Sequence, residues 1–214
     1  MRFKDTNTGY GWLSIALHWF TAIAVLVLLF VGDTISTLEG QEREDALLLH
    51  TSIAITSYVF LWARIVLRFA HGHPGPLPKQ RGPFFWIGKY THYALLVALA
   101  LMLITGPLMV WYGGAAIGVW DWFVIPSPFE QSFPIRDGLH RLHAGSAVAV
   151  LLLTVLHIAG VYKHAAFNQD GTFGKMLIPA KRHEEEAEEQ APAPHRPARP
   201  AHAAASAAAA RDEP

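Results

Sequence analysis

The chain has 214 residues, 52% of them hydrophobic and 16% charged, with Lys+Arg and Asp+Glu balanced at 17 each. That length would suit one soluble domain, but the charges cluster in short stretches and leave four long apolar runs between them, which argues against a soluble fold. There is no cysteine, which excludes a disulfide framework, thiolate-bound iron–sulfur clusters and covalently attached c-type haem.

A helix needs about 20 mostly apolar residues to cross the hydrocarbon core, where no water can satisfy stray backbone groups. Four runs meet this requirement: residues 12–31, 46–67, 93–111 and 139–162. The first is as long as a full span and is followed by Gly32-Asp33-Thr34 without a small-residue cleavage pattern, so it reads as a retained helix. A short acidic linker, residues 33–45, precedes the second run. A basic loop rich in Pro and Gly, residues 68–89, precedes the third. Gly106-Pro107 falls inside the third run, where the pair is expected to kink the helix and aid packing. An aromatic loop with several prolines, residues 113–137, leads to the fourth. The expected fold is all-α, a transmembrane four-helix bundle comprising residues 1–179.

Orientation follows from the placement of Lys and Arg. Arg2 and Lys4 precede the first span, and Arg64, Arg68, Lys79, Arg81 and Lys89 surround the middle connection. Lys163, Lys175, Lys181 and Arg182 follow the last span. The other two connections carry only Arg43 and Arg136 among eight acidic residues. Both termini and the middle loop are therefore expected to be cytoplasmic. From Ala180 to Pro214 the composition turns to Glu, Pro, Ala and Arg, which cannot bury an apolar face, and a disordered tail is expected there.

Five of the twelve histidines lie within or at the edge of spans: His18, His50, His92, His143 and His157. An ionisable side chain in lipid costs several kcal/mol, so such residues face the bundle interior and serve a function or bond across helices. His143 and His157 are 14 residues apart on the fourth span, close to four turns, with a drift of about 40° and a rise of ~21 Å. One helix face thus offers an imidazole to each leaflet. Depth pairs His143 with His50 near the outer side, and His157 with His18 near the cytoplasmic side. Two axial imidazoles in a dry cavity are what a low-spin, electron-transferring haem iron requires. No Asp or Glu lies within the spans, which disfavours a bare zinc or di-iron site.

Other positions compete or assist. His140 stands about 100° off the shared face, and suits an interfacial role beside Arg141. His92 has about the depth of His18 and His157, so it is open as a ligand, a quinone contact or a structural group. His164 follows His157 by seven residues on the same face, placed for a propionate, a quinone headgroup or the interface. Arg64 lies 14 residues after His50, at the level of the inner haem, where a guanidinium can neutralise propionates. Arg68, one turn on, reads as a plain positive-inside anchor. His71 and His73 belong to a Pro/Gly loop and read as solvated. Gly145, Ala147 and Gly160 would let a flat macrocycle approach the fourth helix, though small residues also serve helix packing.

The motifs Leu17-His18-Trp19, Leu49-His50-Thr51-Ser52, Arg64-Ile65-Val66-Leu67-Arg68, His92, Leu142-His143-Ala144-Gly145 and Leu156-His157-Ile158-Ala159 are specific in their order and spacing. On them the chain resembles the prokaryotic cytochrome b561 family from about Tyr10 to Pro179. The resemblance implies two non-covalent b haems, ligated by His18/His157 and His50/His143. It also implies a place in the bacterial cytoplasmic membrane and exchange with the quinone pool, ubiquinone being the expected substrate. The expected function is electron transfer between an outer-face donor or acceptor, superoxide among the candidates, and quinone. The expected partners are membrane lipid, quinone and a redox protein, with no nucleic acid. Two rival readings remain at this stage: a cytochrome anchor subunit of a hydrogenase- or dehydrogenase-type complex, and a small proton-coupled transporter.

Overall fold

A computed structural model describes residues 5, 9–72, 83–168 and 173–178. The expected tail (180–214) and His73 lie outside them. Four long helices dominate: α1 (Trp12–Ile35), α2 (Gly40–His71), α3 (Pro83–Tyr112) and α4 (Phe133–Lys163). All four are long and apolar enough to cross a membrane. Their 24 to 32 residues exceed the ~20 that the hydrocarbon core demands.

Each apolar run of the sequence falls inside one helix, and every helix extends past its run at one or both ends. Helices continue beyond the apolar stretch because intrahelical hydrogen bonds do not depend on hydropathy. α2 begins in the polar stretch Gly40 to Asp45, with Glu42 in its first turn complementing the helix dipole. α4 begins six residues before its apolar run, with Pro134 in the first turn, where a missing N–H costs nothing. α3 runs on through Pro107. α4 passes into one π-helical turn, His164–Asn168, followed by a short 3₁₀ turn at Gly174–Met176.

α1 packs along α2, and α3 along α4, so the bundle is built from two antiparallel hairpins. Ala24, Leu61, Ile65, Leu96, Leu99 and Leu103 form a core from α1, α2 and α3. α4 adds mainly Val150 and Ser146 to the buried set, and its histidine-bearing face is only partly covered. The end of the bundle where α1 begins is called the base. There the Trp19 indole N–H donates to the Met176 carbonyl at 2.9 Å, placing the segment after α4 beside the start of α1.

The opposite end carries a β-hairpin that the sequence reading treated as loop. β1 (Ile117–Val119) pairs antiparallel with β2 (Phe123–Ile125). Ile117 and Val119 are buried, while Trp122, Phe123 and Val124 face outward. The hairpin is fastened to α2 by two bonds: Thr51 Oγ1 donates to the Gly118 carbonyl at 2.9 Å, and the Trp120 N–H donates to Ser52 Oγ at 2.6 Å. Gly118 lies close against α2, so that a Cβ there would stand 2.8 Å from Leu48 Cδ1 and the leucine would have to shift. Trp120 has a φ of +48°, a left-handed conformation that is costly for a bulky residue and persists only where its surroundings hold it. Ser52 supplies that hold. Ser52→Ala should leave helix content unchanged but cost about 1–3 kcal/mol by stranding the Trp120 amide, read as a lower melting temperature in detergent.

Candidate functional site

The histidines predicted from the sequence gather in two places, one near each end of the bundle. At the hairpin end, α2 supplies His50 and α4 supplies His143. Each ring is seated against a glycine of a neighbouring helix. A Cβ on Gly32 of α1 would stand 3.2 Å from His50 Cε1, and one on Gly106 of α3 would stand 3.4 Å from His143 Cε1. In both cases the ring edge carrying Cε1 and Nδ1 meets the glycine backbone, leaving the Nε2 edge to point elsewhere. Gly106, expected only to assist a kink, thus also stands beside the His143 ring.

The tautomer of His143 follows from its partner. Thr105 Oγ1 donates to the Leu101 carbonyl at 2.6 Å, and with its one hydrogen used it accepts from His143 Nδ1–H at 3.0 Å. The Nε2 of His143 therefore keeps its lone pair. His50 Nδ1 is buried near the Leu28 carbonyl but makes no hydrogen bond of ordinary geometry among the described residues.

At the base, three imidazoles converge from three helices. The His18 and His157 ring centroids are 6.3 Å apart, and those of His92 and His157 are 4.8 Å apart. His92 Nδ1–H donates to the Gly88 carbonyl one turn back at 2.7 Å. Arg64 Nη2 donates to His18 Nδ1 at 3.2 Å. Because guanidinium is permanently protonated, this bond makes Nδ1 of His18 an acceptor. Arg64 is 7% exposed, and its Nη1 has no hydrogen-bond partner among the described residues.

Below this group lies an arrangement that sequence reasoning missed. Arg68, read as a surface anchor, is 2% exposed. Its Nη1 donates to the Gly72 carbonyl at 2.7 Å and lies 3.4 Å from Asp5 Oδ2, while its guanidinium sits 4.8 Å from the centre of the Tyr10 ring. Burial pushes the Tyr10 phenol above its ordinary pKa against the opposing pull of Arg68 and Arg64. The signal for this cluster was the four-residue spacing of Arg64 and Arg68, which sets both on one helix face. Asp5 is a lone acid ahead of the first span, and nothing in the sequence marks its partner.

Other expected positions fall elsewhere. His140 and Arg141 are exposed, and Arg136 pairs with its exposed neighbour Asp137 at 2.9 Å, a surface contact of small energetic weight. His71 is exposed. His164 lies half-buried in the π-helical turn at the base. Gly145 and Gly160 meet nothing within 4 Å of an added Cβ, and Gly145 lines a groove between α3 and α4 of about 640 Å³. No group of three or more His, Asp or Glu side chains suited to a bare metal ion occurs among the described residues.

The chemistry open to such a site is that of paired neutral imidazoles in apolar surroundings, with an unsatisfied buried cation beside one pair. Two comparisons bear on it. Residues 9–178 match the family model for prokaryotic cytochrome b561. Cytochrome b561 homolog 2 of Escherichia coli (strain K12) is 32% identical over 179 residues, covering 83% of this chain and 95% of the relative. With four membrane-length helices and histidines gathered near both ends of the bundle, this chain belongs to the prokaryotic cytochrome b561 family, the bacterial membrane cytochromes that bind haem b and transfer electrons.

Proposed function

We propose that this chain carries electrons across the bacterial cytoplasmic membrane, between a redox partner at the hairpin end and the quinone pool at the base, by way of two non-covalent b haems. The base, with both flanks of the bundle and the basic connection after α2, is the cytoplasmic side on the positive-inside argument. The observation that carries the reading is the division of imidazoles along α4, with His143 grouped with His50 and His157 with His18, 14 residues apart.

The residues fit the cofactor. Imidazole–metal bonds of about 2 Å would keep two ring centroids on one iron about 6 Å apart, and His18 and His157, at 6.3 Å, would hold the base haem. His92 at 4.8 Å from His157 is too near for that role, and its Nδ1–H bond to Gly88 suits a supporting position. At the other end Thr105 presets His143 with Nε2 as the free donor, the outer-sphere orientation that ligating histidines commonly have. At the base, His18 would hold the haem through Nε2, with its ring hydrogen on Nδ1 and the present Arg64 bond released. Arg64, with Nη2 freed and Nη1 already unpaired, would be available to pair with a propionate carboxylate. Bound haem supplies the one-electron iron couple, and coordination by two imidazoles keeps dioxygen off the metal.

For the quinone, the base offers His164 in its π-helical turn, a backbone irregularity common at functional sites. His164 lies two turns beyond His157 on the same side of α4. The segment held to Trp19 through Met176 flanks this end of the bundle. Imidazole can donate a hydrogen bond to a quinone carbonyl from this position.

The purified protein should show two haems per chain in a pyridine haemochrome assay. His18→Ala and His157→Ala should each remove one, His50→Ala and His143→Ala the other, and His92→Leu neither. A colourless protein, or spectra indifferent to these variants, would sink the reading. His164→Ala should keep both haems yet slow their reoxidation by a ubiquinone analogue about tenfold, the rate equivalent of one ordinary hydrogen bond. An unchanged rate would remove His164 from the quinone site. Stable co-purification with a soluble dehydrogenase, with no quinone reaction by the chain alone, would favour an anchor subunit.

A further inference from the structure

The base holds two buried guanidiniums one turn apart on α2, and Asp5 is the carboxylate that lies against them. Like charges at this spacing repel, and low-dielectric surroundings strengthen that repulsion. Asp5 does not lie midway between them. Its Oδ1 accepts the Gly11 N–H at 2.9 Å, and this tether sets Oδ2 toward Arg68, at 3.4 Å. The Tyr10 ring covers the same guanidinium, and the raised phenol pKa keeps that ring neutral at physiological pH. Arg68 is thereby engaged by Asp5, the Gly72 carbonyl and an aromatic face. Arg64 hydrogen-bonds only to His18 among the described residues; its terminal Nη1 is left unpaired, whereas on Arg68 the unpaired atom is the inner Nε.

We infer that Asp5 is a positioning residue for the haem at the base: by engaging Arg68 it reserves Arg64 for the propionate and offsets one of the two buried positive charges beside that haem. This rests on the proposed placement of a haem between His18 and His157. Its consequence is electrostatic and signed. A carboxylate near the iron stabilises the oxidised state, which carries one more positive charge than the reduced state. Removing it favours reduction. The effect should be confined to the base, because the second imidazole pair lies ~21 Å along α4.

The test is a spectroelectrochemical titration of the purified two-haem protein. In Asp5→Asn, one midpoint should move to a more positive potential, so that this haem is mostly reduced at the wild-type midpoint, while the other stays in place. Asp5→Ala should move it in the same direction, and Asp5→Glu should stay near wild type. Loss of the base haem from Asp5→Asn with its retention in Asp5→Glu would equally support positioning. Unmoved midpoints, an equal shift of both, or loss of both haems would overturn the inference, since a purely structural strap would alter melting without a selective change in potential. The haem that shifts is assigned as the one absent from His18→Ala. If it is instead the one absent from His50→Ala, the haem placement fails while the influence of Asp5 on a haem stands.

Discussion

A polar group inside a bilayer has no water to turn to, and each one must find a partner in the protein or in a ligand. Much of this structure can be read as the working out of that constraint. Thr105 returns its hydrogen to Leu101 and still receives that of His143, satisfying two polar side chains and fixing a tautomer together. His92 bonds to the carbonyl one turn before it. Ser57 and Thr91 likewise bond back to their own helices. Against this background, Thr21 Oγ1, Arg68 Nε and Trp111 Nε1 lack a partner among the described residues, and so do two further atoms, the Nη1 of Arg64 and the Nδ1 of His50. These last two belong to the groups of residues proposed to hold haem.

The same constraint explains the division of labour among the helices. α1, α2 and α3 share the aliphatic core that holds the bundle together, while α4 packs on α3 and presents histidines near both ends of the bundle. A helix with two imidazoles four turns apart on one face is poorly suited to a continuous apolar seam. α4 contributes little to the buried core, and it is held by packing along α3 and by contacts at its ends. Near one end Thr105 and Gly106 meet His143; at the other, Trp19 meets the segment that follows α4. The glycines at 32 and 106 serve the same economy, since without a side chain the helix backbone itself becomes the wall against which a ring is set.

The two buried arginines differ in their company rather than in their chemistry. One is enclosed by an acid, a carbonyl and a phenol ring, with its inner Nε unbonded; the other reaches a histidine and has a terminal Nη1 to spare. A guanidinium can serve as a structural clasp or as a recognition group, and its neighbours decide which. Here the deciding neighbour is a carboxylate from a short stretch before α1. The N-terminal approach to the bundle thus reaches into the electrostatics of the base.

The sequence by itself determined the four spans, the helical class, the family and the grouping of histidines near both bundle ends. Helical period and hydropathy are local properties, and a 14-residue spacing on one helix keeps its meaning whatever the helix packs against. It could not determine which atoms each imidazole would offer, because a tautomer depends on partners from other helices, as with Thr105 and His143. Nor could it separate His18 from His92 as the partner of His157; the proposed choice rests on ring separations of 6.3 and 4.8 Å across three helices. It also misread Arg68, whose place at the end of an apolar run is equally that of a surface anchor. Only the placement of Asp5 and Tyr10 beside α2 encloses it. The hairpin at residues 117–125 escaped notice for a related reason: three-residue strands carry too short a period to read, and this pair is held by Thr51 and Ser52, more than sixty residues away in the chain.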